Sequence, residues 1–343
     1  MTAMVDADVI VAGGGPVGLA AAIEARLAGL SVIVCEPRSG PIDKACGEGL
    51  MPGAVTALER LGARVDGYPF AGIRYVADCH VADHRFALGP GLGVRRTVLH
   101  RALADRARQA GVDITPVRIT DVSQSAESVA AAGLRARWLF ACDGLHSRIR
   151  QQLGLVRDVR TAPRFGLRKH FRVEPWSEFV EVHWTPAAEV YVTPVSRELV
   201  GVAVLGRPSL DYAATLDATA VGRRLAGAEP VSALRGAGPL RQRTARRVCG
   251  RVLLVGDAAG YVDALTGEGI RLGLAGARAA VRAVAAGNAS RYEADWRRIT
   301  RDYRLLTTAL LAAGGRPAIR TGIVPLARRL PRVYGAIVDR LAG

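Results

Sequence analysis

Four consecutive apolar residues, Val9 to Ala12, run into the cluster Gly13-Gly14-Gly15, and a run of that length predicts a short buried strand rather than a helix. Pro16 to Ala28 then carries apolar residues at helical spacing up to Gly29, and Ser31 to Cys35 reads as a second buried strand, so the opening segment is a βαβ unit. From Ile73 to Leu88 apolar and polar residues alternate as in a hairpin, and Thr97 to Ala110 returns to helical period before Gly111. Strand character follows up to Trp138 to Ala141. Four further runs, around Leu167 to Val173, Phe179 to Trp184, Val190 to Val195 and Leu199 to Leu205, are separated by short turns such as Thr185-Pro186 and predict a mostly antiparallel sheet. A helix is expected over Leu210 to Leu225, a buried strand over Arg251 to Val255, and a long Ala- and Gly-rich helix over Glu268 to Ala286. After Asn288 the pattern is basic amphipathic helix, broken near Gly314-Gly315 and again at Pro325 and Pro331.

The chain of 343 residues is long enough for one large domain or two ordinary ones and for a sizeable core. No internal repeat is visible. A net charge of +16 raises the question of a polyanionic partner, but only Lys44 and Lys169 of the 47 basic residues are lysines, and aromatics are 5%. Arginines on solvated helix faces account for the charge, and stacking platforms for bases are missing, so no nucleic-acid partner is expected. Five cysteines (Cys35, Cys46, Cys79, Cys142, Cys249) form no CxxC pair, which suits a reducing, cytoplasmic setting; all but Cys46 read as packing residues. No run of about 18 apolar residues could span a bilayer. The basic helices from Arg291 onward leave peripheral membrane contact open. His80 and His84 stand four apart, but in a segment that alternates like a strand, so no metal site is expected.

Gly13, Gly15 and Gly18 form GxGxxG between a strand and a helix opening at Pro16. Gly13 permits the tight turn, Gly15 lets backbone approach a pyrophosphate, and Gly18 lets helix and strand pack closely. The helix start offers free N–H groups to phosphates. Glu36, at the end of the next strand, is placed for ribose hydroxyls, with Arg38 beside it. In the segment Arg251 to Ile270 a buried strand ends in Gly256-Asp257, and a glycine turn leads to a helix start at Gly267, Gly269 and Ile270. Such a helix start stabilises negative charge on a reduced flavin.

These residues carry a resemblance. Arg251 to Ile270 resembles the second FAD fingerprint of the para-hydroxybenzoate hydroxylase and geranylgeranyl reductase superfamily, which implies contact of Asp257 with the ribityl chain; Ala264 stands where that family usually has Pro. Asp143-Gly144 with Ser147 and Arg150 reads as its DGxxSxxR fingerprint, associated there with FAD and the nicotinamide donor, and Arg96 resembles the arginine that opens a helix and touches the cofactor. The loop Lys44 to Gly49 resembles the reductase branch, which carries Cys-Gly beside the isoalloxazine. By that resemblance Cys46 and Gly47 line the flavin or substrate pocket; Cys46 as a small buried residue in a turn is the competing reading. The strand Glu189 to Pro194 stands where reductases show YxWxFP. Alternation puts Glu189, Tyr191 and Thr193 on one face, a polar set that argues against a fully aliphatic substrate. Tyr191 is a weak catalytic candidate or a sheet aromatic with a satisfied hydroxyl. His170 and His183, read as lying on neighbouring strands, could serve acid–base work or be structural. The WxWxIP signature of flavin-dependent halogenases is absent.

The resemblance implies a mixed α/β (α+β) protein: a Rossmann-like FAD-binding domain assembled from residues 1–70, 96–160 and 245–290, an inserted antiparallel-sheet substrate domain from 71–95 and 161–244, and C-terminal helices over 291–343. The expected cofactor is FAD, with NADPH or NADH as a transient donor, since no second GxGxxG exists. The expected substrate is an apolar or aromatic small molecule. Hydroxylation of an aromatic or polyketide-like compound is favoured narrowly over reduction of a C=C bond in an isoprenoid or lipid. The Gly-Glu-Gly loops at 47–49 and 267–269 point to reduction and the polar Tyr191 strand away from it. A peripheral membrane flavoprotein serving a redox partner is the third reading.

Overall fold

The computed structural model describes residues 5–343. The chain opens with β1 (Ala7–Ala12), α1 (Pro16–Leu27) and β2 (Val32–Cys35), continues through β3 (Gly72–Ala77), β4 (His80–Arg85), α2 (Arg96–Gln109) and β5 (Asp113–Thr115), and reaches β6 (Leu134–Ala141). Then come β7 (Phe165–Arg172), β8 (Phe179–Trp184), β9 (Glu189–Ser196) and β10 (Leu199–Gly206), followed by β11 (Val252–Leu254), α3 (Gly269–Ala285), α4 (Arg291–Gly314), α5 (Pro317–Arg320), α6 (Ile323–Arg329) and α7 (Pro331–Ala342).

Strands β11, β6, β1, β2 and β5 lie side by side, all parallel. These strands are continuous apolar runs, as buried parallel strands are, and Val9, Ile10, Val11, Leu139, Phe140 and Leu253 are fully buried. The order reverses between β1 and β6, which opens a crevice at their carboxyl ends, where doubly wound sheets bind ligands.

The second sheet runs β7, β10, β9, β8, β3, β4; only the β8–β3 pair is parallel. Period two divides its side chains. Val190, Val192, Val202 and Val204 pack on the outer face with the helices at 212–224, while Val180, Val182, Tyr191, Ala203 and Leu205 point inward to a core shared with the C-terminal helices.

Several expectations change. His170 and His183 are not on neighbouring strands: β10 and β9 lie between β7 and β8, because sequential strand order does not survive the return of β9 and β10 into the gap. The helix expected over 210–225 is two, Tyr212–Asp217 and Ala220–Arg224, since Asp211 and Thr219 each accept a capping bond from their own helix start. Pro325 does not break a helix; it sits in the first turn of α6, where no N–H is needed, and the break falls at Thr321-Gly322. Cys79 is exposed in the β3–β4 turn and so is not a packing residue, whereas half-buried Cys249 packs against the core that holds buried Cys35 and Cys142.

Candidate active site

The crevice is built by glycines. Gly13 has φ +104°, and a Cβ there would lie 2.7 Å from the Cys142 carbonyl oxygen at the end of β6. A Cβ on Gly18 would lie 1.9 Å from the Gly13 oxygen. Gly15 faces open space, its nearest neighbour being Arg96 Nη2 at 4.0 Å, so a ligand can reach its backbone. Gly14, which the motif leaves unspecified, is constrained as well: a side chain would strike Glu36, whose Oε2 accepts the Gly14 N–H at 2.9 Å. Pro16 occupies the first position of α1, whose start has no side-chain cap and so keeps free N–H groups. His100 braces the loop, its Nε2 2.9 Å from the Gly14 oxygen; burial lowers its basicity, and the neutral ring donates to that oxygen.

Glu36 is buried just past the end of β2. Burial pushes its carboxyl up, but hydrogen bonds from the Arg38 side chain, the Arg38 N–H and the Gly14 N–H outweigh this and hold it below the ordinary value, as an anion. Arg96 opens α2; its N–H donates to Glu48 Oε1 at 2.8 Å, while its Nε is buried without a partner. Asp143 accepts the Ile149 N–H through Oδ2, and its buried Oδ1 has no partner. Gly144 (φ +85°) turns the chain after it. Unpartnered polar atoms beside an open glycine backbone fit a ligand that brings phosphate oxygens and hydroxyls, as FAD does.

Arg150 proves to be internal. It is 1% exposed, and its guanidinium donates to the carbonyls of Leu145, Ala258 and Asp257 and to Gln242 Oε1. It braces the short 3-10 turn Gly256–Ala259 that carries Asp257. Gly256 (φ +66°) packs on Val17, joining that turn to α1.

Asp257, Gly267, Gly269, Ile270, Cys46, Gly47, Arg96, Pro16 and Tyr191 all line one cavity of about 230 Å³ between the two sheets, with Val338 and Leu341 of α7 at its edge. Cys46 Sγ accepts the Glu48 N–H at 3.4 Å. The Tyr191 hydroxyl donates to the Leu265 carbonyl at 2.7 Å, and burial raises its pKa well above the ordinary value. Thr193 Oγ1 donates to the Gly47 carbonyl at 2.8 Å.

Two buried carboxylates in the Gly-Glu-Gly loops went unassigned from sequence. Glu48 (φ +61°) accepts from His170 Nε2 at 2.6 Å, and His170 Nδ1 meets Ser232 Oγ at 2.9 Å. Arg168, 1% exposed, binds Asp43 and lies 3.7 Å from Glu48. Glu268 caps α3 and pairs with Arg271; burial, only partly offset by Arg271, pushes its carboxyl up to about 7. A further ladder runs Asp263, Arg164, Glu189, Arg320 and ties α5 to β9. A Glu in a glycine loop carries no sequence mark of burial, and the ladder joins residues up to 156 positions apart, 164 to 320.

The FAD binding domain family model matches residues 6–205. A menaquinone reductase of Mycolicibacterium smegmatis is 27% identical over 98% of this chain and 88% of that protein. Digeranylgeranylglycerophospholipid reductase 1 of Methanopyrus kandleri is 30% identical over 78% of this chain and 77% of that protein. In fold, the chain is similar to p-nitrophenol 4-monooxygenase from Pseudomonas putida, with a TM-score of 0.80 at 21% identity over 98% of both chains. With its glycine loop and acidic strand end inside that matched span and the Asp257 turn brought to the same crevice from beyond it, the chain belongs to the FAD binding domain family, in the superfamily of para-hydroxybenzoate hydroxylase and geranylgeranyl reductase, and is an FAD-dependent oxidoreductase.

Proposed function

We propose that the chain reduces a carbon–carbon double bond of an apolar, isoprenoid-like or lipid substrate held in the main cavity, with NADPH or NADH as donor. The observation that carries this reading is the state of the β9 strand. Its polar atoms are turned to internal partners: Tyr191 to Leu265, Thr193 to Gly47, and Glu189 to Arg164 and Arg320. The wall beside Cys46 is therefore an aromatic ring and a methyl group, continued by Leu50, Phe70, Val180 and Leu205. That wall suits an aliphatic chain and answers the argument against one that residue types alone suggest. The reductase relatives agree with it. Bound FAD supplies the hydride; the residues at Gly13 to Gly18, Glu36, Arg96, Asp143 and Asp257 would hold it. The Cys46 thiol on the cavity wall is the candidate proton source for the second carbon.

Hydroxylation of an aromatic compound is the second reading, favoured by the His170–Glu48 pair, an acid–base couple whose carboxylate lines the same cavity. Anaerobic turnover with donor and a polyprenyl substrate separates the two: reduction predicts a product two hydrogens heavier, hydroxylation one oxygen heavier and only with oxygen. No anaerobic product across polyprenyl quinones and lipids would overturn the reductase reading.

Membrane contact belongs to the same proposal. Among the described residues no helix is long and apolar enough to cross a membrane. Yet Leu326, Leu330, Val333 and Ile337, spaced four, three and four apart on α6 and α7, are exposed beside Arg328, Arg329, Arg332 and Arg340, while α7 lines the cavity from its other face. Apolar side chains ringed by arginine fit an anionic lipid surface from which a lipid substrate would enter. Co-sedimentation with phosphatidylglycerol vesicles, lost in Leu326→Asp/Val333→Asp, tests this; equal sedimentation of the variant would refute it.

A further inference from the structure

A second cavity, also about 230 Å³, lies on the far side of the Asp257 turn, between that turn, α3, α4 and the segment 241–247. We infer that it is a phosphate subsite, taking the phosphate group of an organic ligand other than FAD. Four arginines line it: Arg241, Arg243, Arg247 and Arg304. Arg247 is engaged by Glu293, through its Nη1 at 2.6 Å and its N–H at 2.7 Å, and lies 3.9 Å over the ring of Trp296. Among the described residues, Arg241, Arg243 and Arg304 have no carboxylate partner within ion-pair distance, whereas their neighbours Arg247 and Arg297 do. Burial, then Arg247, Arg297, Arg241 and Arg243, lower the basicity of Arg304. Clustered guanidinium groups without counterions are stabilised by a multivalent anion, and phosphate accepts their paired N–H donors in a matching plane.

An independent observation points the same way. Thr244, which lines the cavity, is 92% buried (8% exposed), and its Oγ1 has no hydrogen-bond partner. A buried hydroxyl left without a partner is destabilising, so a ligand oxygen here completes the wall. Asp257, Tyr261 and Gly269 line both cavities, so occupancy of this one bears directly on the turn that presents Asp257 to the cofactor. The two sources with that chemistry are a nucleotide phosphate of the donor and a lipid headgroup.

The test uses protein saturated with FAD and freed of excess, so that the cofactor crevice is filled. Titration calorimetry with inorganic pyrophosphate is expected to show binding that weakens at least tenfold in Arg241→Gln/Arg304→Gln and several-fold in Thr244→Val, with flavin absorbance unchanged in both. Competition by 2′-phospho-ADP-ribose assigns the site to the donor; competition by phosphatidylglycerol vesicles assigns it to the lipid. No binding to the wild type, equal binding to the double variant, or competition by neither would overturn the inference. Loss of flavin itself would instead count against the cofactor assignment, and the absorbance separates the two failures.

Discussion

Substituting Glu268→Gln should abolish a pH dependence of folding stability that the wild type carries. The Glu268 side chain is fully buried at the start of α3, with Arg271 as its ionic partner and Oε1 unpartnered. Its carboxyl is pushed from 4.5 up to about 7 by burial, a shift worth about 3 kcal/mol at 1.36 kcal/mol per unit. The helix start favours the anion by only about 0.3 to 1 kcal/mol, too little to reverse the direction. The sign follows from proton counts. Between 4.5 and about 7 the folded protein holds the proton and the unfolded chain releases it, so stability falls as pH rises through that window and is level on either side. Glutamine, neutral at every pH, has no such loss. Urea denaturation of the apoprotein at intervals between pH 4.5 and 8 should show the wild type losing about 3 kcal/mol relative to the variant. Parallel curves for the two proteins would refute the reasoning.

Gly18→Ala places a methyl 1.9 Å from the Gly13 carbonyl oxygen, so the loop must open; the purified protein should be colourless yet keep its circular dichroism, and a yellow protein with normal FAD content would contradict this. Glu48→Ala leaves His170 without its buried acceptor and should cost about 3 to 5 kcal/mol, read from the urea midpoint, with Glu48→Gln costing less. Arg320→Met breaks the ladder to Glu189 and frees the carbonyls of Thr185 and Ala188; limited proteolysis should then cut near residues 315–323 first, and an unchanged cleavage pattern would count against α5 as the anchor of the C-terminal helices.

How far the sequence reached is clearest in the glycine loop. Gly13 turns the chain and Gly18 packs closely as their spacing implied, and Gly15 stays open, because the geometry there is local: one turn and one helix start, both within six residues. The same holds for the strands of the second sheet, whose period-two alternation is written in Val190 to Val195 and Leu199 to Leu205. Arg150 shows where local reading ends. Its motif was visible, but its partners at Leu145, Gln242, Asp257 and Ala258 are set by how β6 and β11 pair, so its bracing role could not be read from spacing.

Tyr191 and Thr193 make the same point for function. Their residue types spoke for a polar wall, and only the approach of the loops at Gly47 and Leu265 turned those hydroxyls away from the cavity. Local periodicity and backbone permission, then, were enough for most of the elements and for the cofactor loop, and the resemblance of the fingerprint segments added FAD. Which polar groups are buried, which are already partnered and which face the cavity depended on contacts between segments far apart in the chain. Such contacts exist only once the two sheets and the C-terminal helices have closed on one another, because a hydrogen bond or ion pair between distant residues leaves no periodic signature in either.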